Sequence, residues 1–161
     1  GIEEMSKKYE KKKDDYNSIL VKSLGDRIAE AYAEKMHEDV RVKYWGYSKK
    51  EKLVNNELIE EKYIGIRPAP GYPACPDHSE KETLFKLLNV KNLIDVSLTD
   101  SFAMLPTSSV SGFYFSNKNS EYFGIGKINK DQLESYADRK KIDVKEAEKW
   151  LAPNLSYSIE E

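Results

Sequence analysis

The chain has 161 residues, of which 34% are charged and 39% hydrophobic, and a formal net charge of −2. That length supports one domain around one core, and the lack of a basic excess argues against a duplex nucleic-acid binder. There is no apolar run of about 18 residues and no leader-like N-terminus, so neither a membrane span nor a signal peptide is expected. The lone Cys75 excludes an internal disulfide and fits a reducing, cytoplasmic compartment. Position 1 is Gly rather than Met, which points to an excised or processed chain.

Residues 1–16 interleave five Lys with five acidic side chains. They read as a solvated helical lead-in, because the charges cancel too locally for a basic binding arm. From Asn17 onward, Leu20, Leu24, Ile28, Tyr32, Met36 and Val40 recur at helical spacing. The spacing predicts one long helix from about Lys7 to Tyr44, stopped near Gly46. Glu30 lies off the centre of that stripe, as a solvated glutamate or as an acceptor for a ligand. His37 reads as a surface histidine. Asn55 or Asn56 is expected to cap a short helix over 57–63, with Gly65 closing it.

Residues 67–78, RPAPGYPACPDH, hold four of the six prolines. Each proline fixes φ and extends the residue before it, so the segment is a stiff loop, neither helix nor central strand. Such a loop is either a rigid connector or a preformed binding element. Cys75-x-x-His78 supplies too few ligands for a closed zinc site, and no metal site is expected. Ser79-x-x-Glu82 reads as a capping box opening a helix to about Leu88, with Leu84, Leu87 and Leu88 turned inward.

Val96 to Thr99 suggests a strand, and Ser101 to Leu105 a largely buried extended run. Val110–Ser116 and Tyr122–Ile128, around a polar turn, predict an antiparallel hairpin. Gly112, Gly124 and Gly126 inside it mark bulges or close approaches. Tyr122 and Phe123 open the second strand as an aromatic pair. Two helices finish the chain, one over about 131–140 and one capped by Asp143, running to Leu151 and ended by Pro153. The predicted class is α+β: an antiparallel sheet flanked by helices, with a long N-terminal helix.

Arg67-x-Ala69-x-Gly71-Tyr72 and the Pro-Ala-Cys-Pro-Asp-His-Ser-Glu-Lys that follows form a distinctive signature. With it come, in order, Asp26–Ala31, Tyr44–Tyr47, Ser101–Met104, Ser109–Gly112, Lys130–Gln132 and Trp150–Asn154. This set resembles the C-terminal activation domain of cobalamin-dependent methionine synthase, over nearly the whole chain. The resemblance implies a single domain binding S-adenosylmethionine (AdoMet) through Arg67, Ala69, Gly71, Tyr72, Tyr122, Phe123 and Glu30. It implies no catalytic side chain in this domain. Arg67 would take the ligand carboxylate with its planar fork of donors. The backbone at Ala69 and Gly71 would approach closely, the aromatic faces would attract the sulfonium, and Glu30 would accept from a ligand donor.

In that family the module serves reductive remethylation of inactive cob(II)alamin, within an enzyme that methylates homocysteine from 5-methyltetrahydrofolate. Cobalamin is held by another domain, and zinc by the homocysteine domain, which is absent here. A flavodoxin or a diflavin reductase supplies the electron. The resemblance also implies that the isolated domain is inactive alone, and that Pro73 to His78 face the cobalamin. One departure stands out: the family's module is longer on its N-terminal side, where it supplies an acidic contact to AdoMet and part of the sheet. Two rival readings remain. One is a module that docks the reductase and cobalamin domain without binding AdoMet. The other is a free-standing methyltransferase, which would need a general base that the sequence does not display.

Overall fold

The chain is described by a computed structural model covering residues 1–159. It opens with a helical hairpin, α1 (Ile2–Glu10) and α2 (Asp15–Asp39). The single long helix expected from the periodicity is therefore broken. Lys13 takes φ 57°, and the Asp14 carboxylate accepts from the Asn17 N–H at 3.1 Å, capping α2 afresh. The helices meet through small side chains. Ser6 and Ser18 hydroxyls lie 2.8 Å apart, and both donate to Glu10. Gly25 faces the start of α1, where a Cβ would fall 2.2 Å from Ile2 Cδ1.

The apolar stripe of α2 is not buried as expected. Leu20, Leu24, Ile28 and Tyr32 are exposed, and the buried positions are Ser18, Gly25 and His37. His37 is thus a fully buried residue rather than a surface one. A π-helical turn, Val40–Tyr44, extends α2 and carries Arg41 inward. Arg41 is fully buried, forked onto Glu51 by bonds of 2.7–2.9 Å and stacked 4.2 Å from the Tyr63 ring centre.

The next helix, α3, spans Asn55–Ile59 and not 57–63. Its first position follows Val54, whose N–H is held by the Glu57 carboxylate at 3.0 Å, so neither asparagine is the cap. Gly65 lies beyond the helix and serves a close approach: a Cβ there would sit 2.1 Å from the Phe115 carbonyl oxygen.

Beyond the proline loop come α4 (Glu80–Leu87) and α5 (Val90–Ile94). Ser79 stands at the cap of α4 without making the capping bond. Its hydroxyl accepts from Lys140 at 2.6 Å, and Glu82 pairs with Lys86. Leu87 and Leu88 are exposed, and Lys81 is the buried residue of α4.

β1 (Ser97–Leu98) and β2 (Met104–Leu105) form a two-stranded antiparallel sheet, with Ser97 opposite Leu105 and Leu98 opposite Met104. The run from Ser101 to Leu105 is only half-buried at best. Phe102, at φ 59°, turns its ring edge-on to Trp150 at 4.9 Å.

The expected 110–116/122–128 hairpin does not pair with itself. Phe115 exchanges hydrogen bonds with Ile66, and Phe113 N–H donates to Pro68 O at 2.9 Å. Ile128 pairs instead with Asn154 and Ser156. The proline segment cannot sustain a ladder, so each contact ends after a residue or two. The turn at Asn117–Ser120 is formed as expected, closed by Ser120 N–H to Asn117 O at 3.0 Å.

α6 (Lys130–Lys140) and α7 (Val144–Leu151) enclose the apolar core of Leu133, Ala137, Ala147, Leu151 and Leu155. The Asp143 side chain caps α7, and a 3-10 turn at Ala152–Asn154 carries Pro153 out of it. The class is α+β with a small antiparallel sheet. Among the described residues, no helix is long and apolar enough to cross a membrane.

Candidate functional site

The proline loop is built by short local bonds. Gly71 N–H donates to Cys75 O at 2.7 Å, and Cys75 N–H to Tyr72 O at 2.8 Å, closing a tight turn. Gly71 needs φ 99°, and a Cβ there would meet the His78 imidazole at 2.2 Å. The far end of the loop is tied to α6. Asp77 is buried and accepts from Tyr136 Oη at 2.5 Å, Lys140 Nζ at 2.6 Å and the Ser79 N–H at 2.7 Å. Burial opposes its charge, yet these donors hold its carboxyl below the usual carboxylate range.

Between this loop and α2 lies an open cleft of about 1250 Å³, wider than the roughly 300–1,000 Å³ of most small-ligand pockets. α2 lines it with Ile28, Ala29, Glu30, Tyr32, Ala33, Glu34 and Met36, so Ile28 and Tyr32 of the exposed stripe front this cleft while Leu20 and Leu24 lie outside its lining. Opposite stand Arg67, Pro68, Ala69, Tyr72, the Ser109–Tyr114 strip, Tyr122 and Phe123. Six of the seven residues singled out by sequence therefore line one cavity, Glu30 on the α2 side and the other five facing it. Gly71 is not on the lining; it shapes the turn that presents Tyr72.

Arg67 is the charged centre of the cleft. One Nη1 hydrogen reaches Tyr63 Oη at 3.0 Å, and Nη1 also lies 3.2 Å from His37 Nδ1. Nη2 donates to Glu34 Oε2. Its backbone N–H donates to the Tyr122 hydroxyl at 2.9 Å. Glu30 is exposed and pairs with Arg27 at 2.8 Å. The His37 pKa falls to about 3, first because the ring is buried and then because Arg41 and Arg67 repel its charged form. It is thus a neutral ring at ordinary pH. Burial likewise pushes the Tyr63 hydroxyl up to about 12.

Glu34, His37 and Tyr63 were not identified from sequence. The available signal was their spacing: Glu34 and His37 lie one helical turn apart, and Tyr63 precedes Arg67 by four residues. Among the described residues there is no cluster of three or more His, Cys, Asp or Glu placed to hold a metal ion.

Residues 1–141 match the family described as vitamin B12-dependent methionine synthase, activation domain. The chain belongs to that family. It is also 54% identical to a solved structure described as the MetH reactivation domain bound to AdoHcy, with a TM-score of 0.95 over 98% of this chain. The match covers 48% of that structure's chain, so the present chain spans about half its length. Membership in the methionine synthase activation-domain family accounts for the order of motifs along the sequence.

Proposed function

We propose that the 161-residue chain is a single AdoMet-binding domain, and that its cleft holds AdoMet for reductive remethylation of inactive cob(II)alamin within a methionine synthase. What supports this is the donor set around Arg67: a fixed guanidinium beside apolar and aromatic walls, with a similar solved structure described as bound to AdoHcy. Bound AdoMet would supply a methyl group activated on its sulfonium. Arg67 anchors the carboxylate through charge-assisted bonds. The backbone at Ala69, in the turn that Gly71 shapes, meets the ligand without a large ordering cost. Tyr72, Tyr122 and Phe123 flank the ligand and offer ring faces to the cation. Glu30 exchanges its exposed partner Arg27 for a ligand donor.

No side chain here acts as nucleophile or base in this reading; the domain contributes position. The partners are the cobalamin-binding domain of the same enzyme and a flavodoxin-type or diflavin electron donor, in the cytoplasm. The overall transfer from 5-methyltetrahydrofolate to homocysteine belongs to other domains, and the isolated chain is inactive alone. The loop from Pro73 to His78, with Asp77 buried beneath it, would supply the face that meets the cobalamin.

Calorimetric titration with AdoMet tests the reading. Saturable binding that weakens by ~2–4 kcal/mol in Arg67→Ala is expected for a lost charged anchor. Unchanged affinity in that variant would refute the role of Arg67. A folded chain that binds a reductase but not AdoMet would establish the docking reading instead, which the absence here of the family module's N-terminal acidic contact favours.

A further inference from the structure

We infer that Glu34, His37 and Tyr63 are positioning residues that orient the Arg67 guanidinium toward a ligand carboxylate. The inference rests on reading the cleft as the AdoMet site. Arg67 carries five N–H donors and no acceptor. Three are taken by these residues: one by Tyr63 Oη at 3.0 Å, one by His37 Nδ1 at 3.2 Å and one by Glu34 Oε2. Among the described residues, Nε–H and one Nη2 hydrogen remain, which is enough for one carboxylate.

The holders are themselves fixed. His37 is fully buried, stacked on Tyr114 at 5.2 Å and edge-on to Tyr63 at 4.9 Å. A guanidinium cannot accept, so His37 Nδ1 is the acceptor and the ring proton sits on Nε2. That Nε2 has no partner among the described residues, and neither does the buried Glu34 Oε1. Each α2 side chain thus leaves one polar atom unpaired and directs the other at Arg67. Unpaired buried groups are disfavoured, so the arrangement is better explained by the guanidinium it fixes than by the fold alone. A free Arg side chain would have to be ordered by the ligand, and prior fixing removes that cost.

The experiment compares two ligands, AdoMet and decarboxylated AdoMet, which keeps the amine, sulfonium and nucleoside. The proteins are the wild-type chain, Glu34→Gln and Tyr63→Phe, both near-isosteric. Each variant should weaken AdoMet about tenfold and the decarboxylated ligand less than about twofold. Adding Glu34→Gln to Arg67→Ala should cost nothing further. Equal losses for both ligands would show that Glu34 or Tyr63 touches the shared part of the ligand or only supports the fold, and would overturn the inference. No loss at all would overturn it too.

Should the wild-type chain bind neither ligand, the AdoMet reading fails by itself, and a ligand-free measurement still decides the positioning. Side-chain 15N spectra should give an Nε2-protonated His37 and a slowly rotating Arg67 guanidinium whose signals change in Glu34→Gln. An Nδ1-protonated ring, or Arg67 signals identical in the variant, would overturn the inference.

Discussion

The backbone N–H of Arg67 donates to the phenolic oxygen of Tyr122 at 2.9 Å, across 55 residues of chain. This bond joins the start of the proline loop to the segment after the Asn117–Ser120 turn. The loop needs such an anchor, because its prolines leave it few N–H donors of its own. The Tyr122 ring thereby reaches the cleft wall beside Arg67.

Tyr122→Phe removes the hydroxyl and keeps the ring. The Arg67 N–H then loses its partner, at a cost of about 1–2 kcal/mol. We expect AdoMet affinity to fall by roughly three- to tenfold while any stacking contribution survives. Titration alongside a denaturant melt separates the two effects. A variant with wild-type stability and affinity would remove this bond from the account of the site.

The second anchor is electrostatic. Lys140 Nζ donates to Asp77, Glu80 and Ser79 at 2.6 Å each. Lys140→Met leaves Asp77 buried with an uncompensated charge, and we expect a loss of about 2–4 kcal/mol. The pH dependence follows from the shifts. Burial works against the Lys140 charge, but bonds to Asp77, Glu80 and Tyr136 raise its pKa overall, so its contribution persists below the ordinary lysine value and vanishes as pH rises through the higher folded one. Asp77 is lowered, so its contribution holds above the ordinary carboxylate value and is lost as pH falls through the lower folded one. In melts of the wild type, Asp77 adds a loss at the acid end, below most of the window in which His37 titrates, and Lys140 adds one at the alkaline end beside the raised Tyr63 and Tyr136 hydroxyls; Lys140→Met should lose only the lysine's share of the alkaline loss.

The C-terminal helices were legible because Leu133, Ala137, Ala147 and Leu151 are both periodic and buried. The proline loop was legible from backbone chemistry alone. The α2 stripe misled because a period specifies one apolar face and not what covers it. Ile28 and Tyr32 line an open cleft, while Gly25 and the serines take the close packing. The hairpin failed for another reason. Strand propensity at 110–116 was real, but Ile66 competes for Phe115, and pairing between distant segments leaves no local trace. Spacing alone placed Tyr63 near Arg67 and Glu34 beside His37, but that the two pairs meet left no local trace, because Glu34 and Arg67 come together across 33 residues.

Gly71→Ala tests the loop's shape. Its φ of 99° disfavours any L side chain, and the added methyl would press on the His78 ring at 2.2 Å. We expect a destabilisation of about 1–3 kcal/mol, or a loop that shifts and weakens AdoMet binding. A crystal structure of the variant with Tyr72 and His78 unmoved, at unchanged stability, would contradict this.

His37 gives the last prediction. Its pKa drops from 6.5 to about 3 on folding, because the ring is buried and faces Arg41 and Arg67. Between those values the unfolded chain binds a proton that the folded one refuses, so stability falls as pH falls through that window. By linkage the loss between pH 7 and 5 is about 2 kcal/mol from this residue alone. The carboxylates contribute little over that interval, since the shifts of Asp77 and Asp39 lie below the ordinary carboxylate range. His37→Gln keeps a polar side chain without a titrating ring at that position, and its slope from pH 7 to 5 should be shallower by this amount; the remaining slope comes from His78, whose pKa is also lowered by burial and then by Lys81. Parallel urea melts of both proteins at the two pH values measure the difference directly. Equal slopes in the two proteins would mean that His37 is not held neutral by its burial.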